Sequence, residues 1–158
     1  MERRHVLDIE TVMPHRGAMR LVDRVLEHDA EAISVEARVR ADGPFHVDGG
    51  LPAYVGVELM AQAIACWAGV RARAQGLAPP VGFLLGTRRY EAHVQVFGIG
   101  EVLRVTAHRE LMADSGLAVF SCTISARGVP LASAHVSVFE PPDAGAYLEQ
   151  GAQGMVTE

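Results

Sequence analysis

The run from Ala53 to Val70 is almost wholly apolar and about as short as a bilayer crossing allows. It carries Glu58, Gln62, Gly56 and Gly69. A carboxylate near the middle of a membrane span costs about 2.5–3.5 kcal/mol on insertion scales, which favours a helix buried inside a globular domain over a span. Pro52 suits the first helical turn. The pattern predicts a helix from about Ala53 to Gln75, with Arg71 and Arg73 near its C-terminus, Gly76 just past it and Pro79-Pro80 barring continuation.

A helix apolar on nearly every side must be covered all round, and the rest of the chain reads as the cover. Residues 8 to 13 suggest a helical turn stopped at Pro14, and residues 18 to 27 a first strand. Over 31 to 40, Ile33, Val35, Ala37 and Val39 alternate with Ser34, Glu36, Arg38 and Arg40, the period of a half-buried strand. Asp42-Gly43-Pro44 and Asp48-Gly49-Gly50 then mark loops. Four further strands are expected at about 81–92, 101–112, 117–126 and 129–139. Ala118, Phe120, Cys122, Ile124 and Ala126 share one face of the third, and Ala132, Ala134, Val136 and Val138 one face of the fourth. Asp114-Ser115-Gly116 and Gly128 read as hairpin turns. The expected architecture is α+β: a curved six-stranded antiparallel sheet wrapped around one long central helix, the hot-dog fold. Residues 1–140 form its single domain, and 141–158 a mobile tail.

Composition narrows the function classes. The 158-residue chain carries 14 Arg, no Lys and 19 acidic residues, a net charge of -5, with no long basic run, which argues against nucleic acid as a partner. Cys66 and Cys122 each sit in an apolar run and read as small core residues rather than a disulfide scaffold. The seven His show no helical ligand spacing, so no metal site is expected. The N-terminus lacks the apolar stretch of a signal peptide, and a cytoplasmic location is expected.

Glu58 stands out because a carboxylate in an apolar helix has few groups to pair with, and an acid held there can pass protons. Its alternative role is an ordinary ion pair at a helix face. Gln62, at i+4, shares that face. It can orient the carboxylate, bond a ligand or satisfy a buried backbone group. His46, in the loop before the helix, is of the residue type that most often serves as a general base, although a loop His is often merely solvated. Backbone N–H groups at the helix start around Ala53 and Tyr54 can stabilise negative charge on a carbonyl oxygen. His15, between Pro14 and Gly17, reads as a turn residue.

Three stretches together resemble the β-hydroxyacyl-acyl carrier protein dehydratases. Met13-Pro14-His15-Arg16 through Leu21-Val22-Asp23-Arg24-Val25 is similar to that family's opening Leu-Pro-His-Arg and Leu-Leu-Val-Asp-Arg-Val. The helix from Pro52 through Glu58-Leu59-Met60-Ala61-Gln62 is similar to its Pro-Gly start and Glu-Ala-Met-Ala-Gln. Gly82-Phe83-Leu84-Leu85-Gly86 through Gly100-Glu101-Val102-Leu103 resembles its third and fourth strands. The family's Gly-His-Phe-Pro-Gly differs here: Pro44 occupies the usual His spacing and His46 lies twelve residues ahead of Glu58. This shortened loop most resembles the ApeP-like branch, associated with aryl polyene lipid clusters.

The resemblance implies dehydration of a 3-hydroxyacyl thioester to a trans-2-enoyl thioester. His46 removes the α-proton and Glu58 protonates the leaving hydroxyl. Gln62, Ala53, Tyr54 and Gly86 then line the substrate site. It implies no metal and no organic cofactor, the substrate riding on the phosphopantetheine of an acyl carrier protein or coenzyme A. It also implies a homodimer or larger homo-oligomer, and Arg71, Arg73, Arg88 and Arg89 as the cationic patch for an acidic carrier. Two other readings stay open at this point, a hot-dog thioesterase and a non-catalytic acyl-binding subunit.

Overall fold

The computed structural model describes residues 8–13, 17–78, 80 and 82–141. Asp8 opens a short helix, α1 (Ile9–Val12), by accepting a hydrogen bond from the Glu10 N–H. The strands are β1 (Arg24–His28), β2 (Ala32–Arg38), β3 (Gly50–Pro52), β4 (Phe83–Ala92), β5 (Val96–Gly98), β6 (Val102–Met112), β7 (Leu117–Ala126) and β8 (Val129–Phe139). The central helix α2 (Gly56–Ala74) is preceded by one 3-10 turn at Ala53–Val55. Six strands form one antiparallel sheet in the order β1-β2-β6-β7-β8-β4, and β3 pairs with β5 separately.

The alternating patterns become one continuous core. Ile33, Val35, Ala37 and Val39 are buried, as are Ala118, Phe120, Cys122, Ile124 and Ala126, and they close over Leu59, Met60, Ala63 and Trp67 of α2. Burial pushes the Cys66 and Cys122 thiols up to about 12, so both are inert core residues. Among the described residues, the one helix long and apolar enough to span a membrane is this core helix.

Helix α2 ends as its sequence prescribes. Gly76 takes a positive φ of 73°, its N–H reaches the Arg73 carbonyl, and the Leu77 N–H reaches the Ala72 carbonyl. That is the Schellman closure, which satisfies the last carbonyls of the helix. The β7–β8 turn uses Arg127 and Gly128, both at positive φ, the conformation that matches the twist of a two-residue hairpin.

Two expectations need correction. The first strand begins at Arg24, not at residue 18. Gly17–Met19 is a 3-10 turn, and the Leu21 and Val22 N–H groups bond to the Gln62 side chain instead of a neighbouring strand. β3 and β5 lie in stretches read as loop, being too short for alternation to register. The expected tail falls outside the described residues except for Pro141, which is buried; His15 and Pro14 also lie outside them.

Gly69 sets how closely the two helices approach. A Cβ there would stand 1.6 Å from the Val12 carbonyl oxygen, a backbone atom that cannot rotate away. Gly69→Ala gains roughly 1 kcal/mol of helix propensity. Overpacking typically costs about 1–3 kcal/mol, and a contact this short calls for the upper end. A lower melting temperature is expected; an unchanged or higher one would show that α1 is free to shift.

Candidate active site

The local reason Glu58 and Gln62 meet is helical: i and i+4 stand one above the other on α2. The Gln62 Nε2 donates to Glu58 Oε1 at 2.9 Å. Glu58 is half-buried and lines a cleft of about 200 Å³. Ala61, Ala65 and Ala68 form the helix side of that cleft, with Leu84, Phe120 and Val138 opposite. Helix positions 58 to 68 at 1.5 Å per residue give it a length of about 15 Å. The arrangement is a carboxylate on the wall of a narrow apolar groove, suited to an extended hydrocarbon chain with its reacting carbons near the helix start.

Beyond Ala68 the groove meets a second cleft lined by Arg71 and Asp114, and Glu140 and Met112 border both. Burial pushes the Glu140 carboxyl above its ordinary range, opposed by the Arg71 charge. The Arg71 guanidinium lies 4.6 Å from the centre of the Trp67 ring, and Trp67 meets Phe120 edge to face at 5.1 Å. The Trp67 Nε1 has no hydrogen-bond partner among the described residues.

The other expected site residues are dispersed. Gln62 is fully buried, and every polar valence of its side chain is used inside the protein, so it has none to offer a substrate. The Ala53 N–H, expected to polarise a carbonyl, donates to the Gln95 carbonyl at 2.9 Å. Its own carbonyl accepts from the Tyr90 hydroxyl, which also packs against Gly56 and is raised in pKa by burial. The Tyr54 side chain is 73% exposed and does not line the cleft.

Gly86 is also outside the cleft, and the cause is a register irregularity. Leu84 pairs with Val138, which faces the cleft, but Gly86 pairs with the adjacent Ser137. The slip turns Gly86 to the other face. His46 is half-buried against Gly43, with its Nδ1 lacking a hydrogen-bond partner among the described residues, and it does not line the Glu58 cleft of its own chain.

The four arginines do not converge. Arg71 stacks on Trp67, Arg73 donates to Thr11 Oγ1, and Arg88 and Arg89 lie exposed on edge strand β4. Among the described residues no group of three His, Cys, Asp or Glu could hold a metal ion.

A profile of the family described as ApeP-like (ApeP dehydratase) matches residues 7–149, nearly the whole chain and all of the cleft. The chain belongs to the ApeP-like dehydratase family.

This ApeP-like chain is similar to a solved structure described as the dehydratase heterocomplex ApeI:P from Xenorhabdus doucetiae. Identity is 27%, the TM-score is 0.82, and 93% of this chain and 98% of that one are covered. A protein described as a hypothetical thioesterase with coenzyme A from Streptococcus pneumoniae is 12% identical with a TM-score of 0.57, covering 73% of this chain and 83% of that one. A sigma28-regulated virulence protein from Campylobacter jejuni is 10% identical at 0.62, covering 87% and 98%. These last two likenesses concern the fold alone. No curated protein matches the chain.

Sequence reasoning missed Trp67, Met112 and Glu140, which line the candidate cleft, and Tyr90, which holds the helix start through the Ala53 carbonyl. Trp67 sits nine residues along α2 from Glu58, about two and a half turns, so helical periodicity sets it away from the Glu58 face and gave no signal. Tyr90 carried no signal either, because a bulge with Arg89 at φ 56° precedes it.

Proposed function

We propose that this ApeP-like protein dehydrates 3-hydroxyacyl thioesters to trans-2-enoyl thioesters in aryl polyene biosynthesis. The acyl group rides on the phosphopantetheine arm of an acyl carrier protein in the cytoplasm. The observation that carries this reading is the Glu58 carboxylate, held by Gln62 on the wall of an apolar groove in a family of dehydratases. A base takes the proton from the carbon next to the thioester carbonyl. The electron pair forms the new double bond as the C–O bond at the next carbon breaks, and Glu58 gives its proton to the departing hydroxyl, which leaves as water. A proton returned through solvent resets Glu58, and the reaction needs no redox partner.

His46 is the candidate base. A proton-transfer pair must share one reacting group, so His46 serves a Glu58 site only across a subunit boundary. The ApeI:P structure is a heterocomplex, which favours a second, different dehydratase subunit as the partner over the identical copy expected from sequence. The cationic surface for the carrier is then reduced to the exposed Arg88 and Arg89, since Arg71 and Arg73 are engaged within the chain.

The test is a mass measurement on one 3-hydroxyacyl carrier protein, with the chain alone and mixed with an ApeI-type subunit. Loss of one water, without release of carrier thiol, supports dehydration, and activity only in the mixture supports the heterocomplex. Free thiol as the main product would establish a thioesterase instead. With His46→Ala, a loss in the chain alone that does not add to that of a Glu58 variant supports a pair shared between two identical copies. Full activity assigns the base to the partner.

A further inference from the structure

We infer that Gln62 is a positioning residue for the dehydration, fixing the Glu58 carboxylate to the backbone of Met19, Leu21 and Val22. The inference rests on the dehydratase reading of Glu58. Gln62 Oε1 accepts from the Leu21 N–H at 2.8 Å and from the Val22 N–H at 3.4 Å. Its Nε2 donates to the Met19 carbonyl at 2.7 Å and to Glu58 Oε1 at 2.9 Å. Two backbone donors cannot face an NH2 group, so the amide has one admissible orientation, and that orientation turns an N–H toward Glu58.

The side chain is completely shielded from solvent. It therefore cannot touch a substrate and acts only through Glu58. The anchor is rigid because Leu21 and Val22 are themselves core residues. A carboxylate on a helix has free side-chain torsions, and misplacing a reacting group by about 1 Å can cost on the order of 10²-fold in rate. A buried amide with all four valences committed removes that freedom.

Two substitutions separate holding the fold from holding the acid. Gln62→Met keeps the length and loses every bond. Gln62→Glu keeps acceptor oxygens for Leu21 and Val22, but it places a second buried carboxyl beside Glu58, with which it shares a proton, so Glu58 is no longer held by a fixed neutral donor. Both are assayed for enoyl formation, with any required partner subunit present, at a temperature where melting curves show them folded. The expected result is a fall in kcat of about 10- to 100-fold in each, with KM little changed. In a Glu58→Gln background, Gln62→Met should cause no further loss, because the group it positions is already gone.

Equal losses in both backgrounds, or a near-normal kcat in Gln62→Glu, would overturn the inference while leaving the dehydratase reading intact. No enoyl product from the wild type under any pairing overturns that reading and takes this inference with it. Should both Gln62 variants unfold, nuclear magnetic resonance of the wild type decides. The Gln62 side-chain amide protons should exchange slowly, and one should shift in Glu58→Gln; absence of that shift refutes the contact.

Discussion

Glu58→Gln is expected to lower enoyl formation by about 10²–10⁴, the usual worth of a positioned general acid, with the melting curve unchanged or slightly raised. The amide is nearly isosteric and neutral, and a neutral group is cheaper to hold at a partly buried site than a charge. The Gln62 N–H can still donate to the new amide oxygen, so the local network survives. The groove proposed to receive the acyl chain is built from Ala61, Ala65, Ala68 and the sheet residues facing them, and none of these changes. The loss should therefore fall on kcat and not on KM. Thermal melting and product mass on the same preparation provide the check. A folded variant with full activity would make the carboxylate structural and remove the chemical basis of the proposed function.

Phe120→Ala is expected to cost about 3–5 kcal/mol, the usual range for deleting a buried aromatic ring. Phe120 has no exposed surface, meets Trp67 edge to face and packs against the central helix from β7. The Glu58 cleft touches the same ring, so the space left behind joins it and water can enter. That relief puts the cost toward 3 kcal/mol, still a large share of the roughly 5–15 kcal/mol that holds a domain together. For a chain of this size the melting temperature should fall by on the order of 10 °C, measured by calorimetry. A fall of only a degree or two would mean that the core around Trp67 collapses to fill the gap.

Glu58 and Phe120 also mark two kinds of legibility. Phe120 could be assigned to the core from sequence because strand alternation has a period of two and needs no knowledge of neighbours. Glu58 could be singled out because its apolar surroundings lie within one helix, and its pairing with Gln62 is itself an i, i+4 relation. Ser34 shows the limit of that logic. Its place in the alternation puts it on the outward face of β2, yet it is buried, its hydroxyl bonding the Thr106 hydroxyl directly across on β6. The pattern gave its face correctly, and its burial came from the cross-strand neighbour.

The sequence by itself determined the central helix, the inward face of the long alternating strands β2, β7 and β8, and the carboxylate on the apolar helix, since all three rest on spacings of a few residues. Only the tertiary structure decided what those groups touch. Gln62 changed from a possible ligand contact to a tether because its partners lie about forty residues earlier in the chain. The Ala53 amide was lost to Gln95, and Arg71 was lost to Trp67 and Met112. Gly86 left the groove because of a one-residue slip between β4 and β8, which no composition signals and which reverses a side chain's face. Each of these depends on long-range hydrogen bonding and register, set only when the whole sheet closes around the helix.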